Sequence, residues 1–333
     1  MSMISIIVRG FQTRRRIACL AIAVLAAIPS AGARAEYPDR PVTIVSCFPA
    51  GGGTDIAMRL INTELGEALG KPVIVENRGG AGGSLGTTFV ARAPADGYTL
   101  LGCSSAFVVN PSLYANVAYD PFKDFVPVMV IGAAPNLFVV PKQSKINTMQ
   151  DFIAEAKANP GKLNYGAGTI TTRLAGYLFS KMAGIDAVFI PYKGSAEVVQ
   201  GLLTGSIDFS VDGVAASLAL IKGGKLRALA KLNNRPLSAL PDLQPLSVAA
   251  NLPELSEIST WAGLVAPAGT PPAIVDKIQR AVARVAADPE VSSRLSNFGI
   301  SAVSTTPAEF DSYFRNELDR WSKVFKESGI MLE

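Results

Sequence analysis

The chain has 333 residues, with 31 lysines and arginines against 27 aspartates and glutamates, three cysteines and no histidine. Without histidine there is no Ser-His-Asp or Cys-His nucleophile arrangement and no zinc site that depends on imidazole. Five of the 31 basic residues (Arg9, Arg14, Arg15, Arg16, Arg34) lie in the first 35 positions, which hold no acid, so beyond that point 26 basic residues face 27 acidic ones and nothing argues for nucleic acid or an anionic membrane surface as partner.

Those first positions read as a leader. Arg14 to Arg16 precede twelve apolar residues, Ile17 to Ile28, and Ala33-Arg34-Ala35 then places small residues one apart before Glu36. This is the layout of a secretory signal cleaved near Ala35, with a twin-arginine export signal as the alternative reading. Twelve apolar residues are too few to span a bilayer as a helix. Cys19 sits near the start of the apolar stretch and not just after it, which argues against a lipoprotein anchor. Cleavage would leave an exported chain of 298 residues, enough for one large or two medium domains.

Strands and helices then alternate. Val42 to Phe48 reads as a buried strand, and the turn Pro49-Ala50-Gly51-Gly52-Gly53-Thr54-Asp55 leads into a helix with Ile56, Leu60, Ile61, Leu65 and Leu69 in register, closed by Gly70. Consecutive glycines permit positive φ and close approach of a ligand, and the helix starting at Thr54 or Asp55 turns its unpaired N–H groups toward the turn. Val73 to Val75 opens a second strand; a second glycine turn, Gly79 to Gly83, precedes a helix ending near Arg92, and Tyr98 to Cys103 is the third strand. This βαβαβ run predicts a parallel sheet, whose ligands sit beyond the carboxyl ends of the strands. Cys47 and Cys103 fall at two such ends, and could form a disulfide or stay as two buried thiols.

A second α/β unit starts near Asn164. Gly166-Ala167-Gly168-Thr169 leads through Thr171-Thr172 into a helix with Leu174, Leu178 and Met182 on one face. Val188 to Pro191 is a strand, Ala196 to Leu203 a helix, Ile207 to Val211 a strand, and Leu226 to Leu232 another. Trp261 to Val265 reads as a strand, Thr270-Pro271-Pro272 starts a helix carrying Ile274, Ile278, Val282 and Val285, and Thr306 with Glu309 forms a capping box ahead of a final helix.

Neither glycine turn carries a nucleotide signature: Gly51 to Asp55 lacks the Gly-Lys-Ser/Thr ending of a P-loop, and the spacing from Gly80 and Gly82 puts Leu85 where the third glycine of a dinucleotide fingerprint belongs. What remains are three donor-rich, uncharged turns at strand ends: Ala50 to Thr54, Ser104 to Ser105, and Gly166 to Thr172. Backbone N–H groups and hydroxyls there can hold a small carboxylate by fixed dipoles. Asp55 reads more readily as a helix cap than as a ligand contact. Asp212, at a strand end, has two readings: acceptor for a ligand ammonium or hydroxyl, or cap of the next helix. Tyr192 and Lys193 could line the same cleft.

The motifs Phe48-Pro49-Ala50-Gly51-Gly52-Gly53-Thr54-Asp55, Val75-Glu76-Asn77-Arg78, Ala95-Asp96-Gly97-Tyr98, Asn110-Pro111-Ser112-Leu113-Tyr114, Pro191-Tyr192-Lys193-Gly194, Gly224-Lys225-Leu226-Arg227 and Trp261-Ala262-Gly263, in that order, resemble the Bug proteins, extracytoplasmic receptors of tripartite tricarboxylate transporters. The resemblance implies an α/β, type II periplasmic-binding-protein fold, with one lobe from residues 36–138 and 262–333, a second from 139–261, and a ligand cleft between them. It implies a non-enzymatic, monomeric receptor without a cofactor, whose partners are a small organic carboxylate (a dicarboxylate, an acidic amino acid or an aromatic acid) and the membrane subunits of a transporter. Phe48 to Thr54 and Gly166 to Thr172 would grip the carboxylate, partly through water. A sensor feeding a two-component system and a histidine-free enzyme acting on a carboxylate are the alternatives. Against the family pattern the turn at Gly166 is about two residues short and one glycine poorer, with Arg173 where the family has histidine, so that the ligand differs from the usual diacids or Arg173 supplies the missing positive charge.

Overall fold

The structure is a computed structural model that describes residues 36–112, 114, 117–255 and 259–328; the leader of residues 1–35 lies outside the described residues. Strands β1 (Val42–Ser46), β2 (Val73–Asn77) and β3 (Thr99–Cys103) are parallel, as the alternating pattern predicts. Helices α1 (Gly53–Leu69) and α2 (Ser84–Ala91) make the crossovers. On α1 the buried face is Ala57, Met58, Ile61, Leu65 and Leu69, and Gly70 ends the helix in the left-handed conformation, φ 78°, donating to the Gly66 and Glu67 carbonyls. Helix α3 (Ser105–Val109) follows β3.

Beyond β3 the sheet turns antiparallel where β9 and β4 enter it. Strand β4 (Phe125–Pro141) is 17 residues long and changes partners along its length. As far as Pro135 it pairs with β9 (Ser259–Pro267), which also flanks β3; from Asn136 it pairs with β7 (Phe209–Gly213), and from Leu137 also with β8 (Leu226–Lys231). Strands β5 (Leu163–Ala167) and β6 (Ala187–Pro191) continue the far half in parallel with β7, giving the order β2-β1-β3-β9-β4-β7-β5-β6, and β10 (Ser301–Ala302) joins β4. β4 has no reading in the sequence because Pro127, Gly132 and Pro135 interrupt its apolar run, and interior Pro and Gly argue against a strand. The register shifts between Pro127 and Met129 and between Val130 and Gly132 accommodate the first two.

The far half holds helices α4 (Met149–Ala158), α5 (Ile170–Ala183), α6 (Ser195–Thr204), α7 (Val214–Lys222) and the short α8 (Leu246–Ala249). Its core is aromatic: Phe138, Phe152, Phe179 and Phe209 meet with ring centroids 4.7 to 5.9 Å apart. The chain then returns to the near half. Helix α9 (Pro272–Ala286) packs Val275, Ile278, Val282 and Val285 toward α1 and β4, and α10 (Pro289–Asn297) ties to α1 through the Arg294–Glu64 ion pair. Helix α11 (Pro307–Ser328) opens on the expected capping box and lays Phe310, Phe314 and Trp321 into the core. Buried Glu317 accepts from both indole nitrogens, Trp261 and Trp321, each at 3.4 Å, and pairs with Arg320. All these elements belong to one compact unit, Pro38–Glu333.

Of the two readings of Cys47 and Cys103, the structure has the second: both are free, buried thiols. The register Ser46↔Gly102 does bring the two positions side by side at the ends of β1 and β3. Their side chains are committed elsewhere. Cys47 bonds to Thr87 and packs on Gly83, whereas the Cys103 thiol donates to the Gly263 carbonyl at 3.5 Å. Burial pushes the Cys47 thiol up to about 12 and Cys103 well above its ordinary value. The thiolate is the reactive form, so neither cysteine should react with iodoacetamide at pH 8 in the native protein, and both should react in guanidinium. Native labelling of either, read by intact mass, would contradict this packing.

Candidate functional site

The first turn is built by an acid that points away from any ligand. Asp55 is the third residue of α1 and only 2 % exposed; its Oδ2 accepts from the Gly51 N–H at 2.9 Å, and its Oδ1 from Arg59 Nε at 2.9 Å and Asn77 Nδ2 at 2.8 Å. Asn77 also donates to the Phe48 carbonyl at 3.0 Å. Asp55 therefore clamps both ends of the turn 48–51. It is not the helix cap expected from sequence, a position that Gly52 takes in extended conformation. Of the three consecutive glycines only Gly51 has positive φ, 81°. Pro49 is held between Gly79 of the second glycine turn and Gly194 of the far half; a Cβ would meet its ring at 2.9 and 3.2 Å respectively.

Facing it, Thr169 caps α5, accepting from the Thr172 N–H at 3.2 Å while Thr172 Oγ1 accepts from the Thr169 N–H at 3.1 Å. Gly168 is indispensable for the approach of this turn to α6: a Cβ there would lie 2.4 Å from Ser195 N and 2.6 Å from Gly194 C. Between the two halves lies a cavity of about 40 Å³ lined by Phe48, Pro49, Gly52, Gly53, Thr54, Ser104, Asn136, Gly168, Thr169, Thr172, Gly194, Ser195, Asp212, Gly213 and Thr260. The residues that start four helices are among them: Gly52 for α1, Thr169 for α5, Gly194 for α6 and Gly213 for α7. Each N-terminus carries about half a positive charge in its unsatisfied N–H groups. Among the described residues no lysine or arginine lines this cavity. Such an arrangement can hold an anionic group by dipoles.

Among the described residues Asp212 carries the one formal charge on the lining. It is 5 % exposed; its Oδ1 accepts from Ser195 Oγ and from the Gly213 N–H, both at 2.7 Å, and its Oδ2 is buried with no hydrogen-bond partner. Burial pushes its pKa up to about 6, against the opposing pull of Ser195 and the Gly213 and Gly168 amides.

A second, outer cavity of about 230 Å³ shares Gly168 and Thr169 with the first and is bounded by Gly80 to Gly82, Tyr114, Ala167, Ile170, Arg173, Phe189, Pro191, Tyr192 and Lys193. Arg173 lies here, its guanidinium 4.4 Å above the Phe189 ring, and not in the inner cavity.

Of the residues singled out from sequence, Phe48, Pro49, Gly52, Gly53, Thr54, Ser104, Gly168, Thr169, Thr172 and Asp212 line the inner cavity, and Ala167, Arg173 and Tyr192 the outer one. Ala50, Gly51, Ser105, Gly166 and Thr171 line neither. Gly51 serves the Asp55 clamp, Thr171 bonds to Thr169 at 3.0 Å, and Gly166 makes room for Tyr192 and Ile207, which a Cβ would meet at 2.8 and 2.7 Å. Asn136, Gly194, Ser195, Gly213 and Thr260 were missed. The pair Gly194-Ser195 ahead of an apolar-periodic run is a helix-start signal that could have marked two of them; Asn136 and Thr260 sit inside strands, where no local pattern marks them.

A family model described as "Tripartite tricarboxylate transporter family receptor" matches residues 57–330. Among curated proteins the chain is similar to Protein BugT of Bordetella pertussis, 34 % identical over 301 residues that cover 89 % of this chain and 92 % of that one. Among solved structures it is similar to R. palustris Rpa4515 with adipate (33 % identity, TM-score 0.86, covering 89 % of this chain and 99 % of that one). It is also similar to MatC from Rhodopseudomonas palustris with bound malate (30 % identity, TM-score 0.80, covering 86 % and 99 %).

Proposed function

Because the chain belongs to the tripartite tricarboxylate transporter receptor family, whose members are periplasmic solute-binding proteins, we propose that its inner cavity captures the carboxylate of a small organic acid and that the loaded receptor delivers it to the membrane subunits of a transporter. The observation that carries this reading is the meeting of four helix N-termini on a cavity without a lysine or arginine. Such a site binds an anion by preorganised donors, and a solute receptor of this family releases its ligand unchanged. Adipate and malate, seen with two similar proteins, are both small dicarboxylates.

The carboxylate sits against Thr54, Ser104, Thr169 and Thr172, and the remainder of the ligand reaches the outer cavity, where Tyr192 and Arg173 contact it. The lobes are residues 36–138 with 262–333, and 139–261, after export and cleavage near Ala35. The change of β4 partners between Pro135 and Asn136 supports a hinge close to that boundary.

A thermal-shift panel of organic acids, amino acids and aromatic acids tests the reading. At a ligand concentration of 100 Kd, mass action stabilises the folded state by about 2.7 kcal/mol, which raises Tm by roughly 5–10 °C for a chain of this size. No shift with any carboxylate would overturn it.

A further inference from the structure

We propose that Asp212 selects ligands carrying a hydrogen-bond donor, a hydroxyl or an ammonium, on the carbon next to the bound carboxylate. This rests on the carboxylate reading of the same cavity. A buried carboxylate oxygen without a partner is costly, and native interiors rarely leave one. Here Oδ2 is such an oxygen, while Oδ1 of the same group already takes the Ser195 hydroxyl and the Gly213 amide at 2.7 Å each. Asp212 lies on the lining of the inner cavity, among the helix N-termini that attract an anion.

A ligand carboxylate placed there meets a second carboxylate across the cavity. Two anions held this close repel unless a proton lies between them. A ligand hydroxyl or ammonium supplies that proton and completes the valence of Oδ2. The cavity, about 40 Å³, has room for about three waters, so the donor must sit within one or two bonds of the carboxylate carbon. No other charged side chain lines the cavity to take the role: Thr54, Ser104, Thr169, Thr172 and Ser195 are hydroxyls, and Asp55 is turned to Gly51, Asn77 and Arg59. The ligand class is thus 2-hydroxy and 2-amino acids in preference to their plain counterparts.

Matched series test it: succinate, malate and aspartate; glutarate, 2-hydroxyglutarate and glutamate; propionate, lactate and alanine; phenylacetate, mandelate and phenylglycine. In whichever series binds, titration calorimetry should give the hydroxy or amino member about a 10-fold to 100-fold lower Kd than the plain acid, the usual worth of a hydrogen bond to a charged group. In Asp212→Asn, Oδ1 keeps the Ser195 and Gly213 bonds, so Nδ2 takes the place of Oδ2 and an acceptor becomes a donor. The preference should then collapse or reverse toward the plain acid. The variant's melting temperature without ligand shows whether it is folded, and the wild-type series stands without it. Plain acids that bind wild type as tightly as their hydroxy and amino partners overturn the proposal and leave the carboxylate reading intact. A variant that weakens every member of a series equally also overturns it. Absence of binding by all four series overturns the carboxylate reading and this inference together.

Discussion

Asp55→Ala should lower the stability of the folded protein by about 3 kcal/mol, roughly 6–12 °C in Tm, and should abolish the ligand-induced shift. Three donors converge on this one buried carboxylate, and truncation leaves the Gly51 N–H without its acceptor and Asn77 Nδ2 with the Phe48 carbonyl alone. The turn that they hold carries Phe48, Pro49, Gly52 and Gly53 to the cavity. Asp55→Asn distinguishes this account from simple loss of volume. Every partner of Asp55 is a donor, so an amide of the same shape must present its own NH₂ to one of them. The isosteric variant should therefore recover less than half of the stability lost in Asp55→Ala. Recovery to near wild-type Tm in Asp55→Asn would show that the clamp is steric and not a matter of hydrogen bonding.

Gly168→Ala should weaken carboxylate binding about a hundredfold while destabilising the fold by only about 1–3 kcal/mol. The added methyl meets backbone atoms, Ser195 N at 2.4 Å and Gly194 C at 2.6 Å, and no rotamer change can relieve that contact. The start of α6 must move away from the end of β5 by about the difference from an ordinary contact near 3.5 Å, which is about 1 Å. Gly194, Ser195 and the Ser195–Asp212 bond move with it. Gly205→Ala is the control. Its φ of 73° makes alanine strained, yet nothing lies within 4 Å of the added carbon and the residue is remote from the cavity lining. It should lose about 1 kcal/mol of stability with an unchanged Kd. Equal effects of the two substitutions on Kd would mean that the contact of the Gly168 turn with α6 does not shape the site.

The two aspartates at strand ends show why ligand contacts are hard to read from residue type. Asp55 is bonded on both oxygens, whereas the hydrogen bonds of Asp212 fall on Oδ1, Oδ2 has no partner, and the Gly168 amide adds a further pull on the group. The difference appears in their energetics. With its folded pKa raised to about 6, Asp212 favours the folded state most when protonated, and that contribution is lost as pH rises from the ordinary carboxylate range through about 6. At neutral pH the ionised, buried group therefore counts against the stability of the fold.

Much of the architecture was legible in the chain. Helical spacing placed α1, α5 and α9, Thr306 and Glu309 marked the start of α11, and the glycine and threonine turns marked both faces of the cleft. The lack of histidine narrowed the chemistry before any fold was considered. These are local properties: periodicity, caps and turn chemistry act over a few residues and are written in them. The partners of β4, the free state of the Cys47 and Cys103 thiols, the placement of Asn136 and Thr260 at the cavity, and the orphan oxygen of Asp212 were decided only by tertiary structure. Each depends on which atoms distant segments bring within about 3 Å, and no short-range pattern encodes which of two similar carboxylates is left with an unpartnered oxygen.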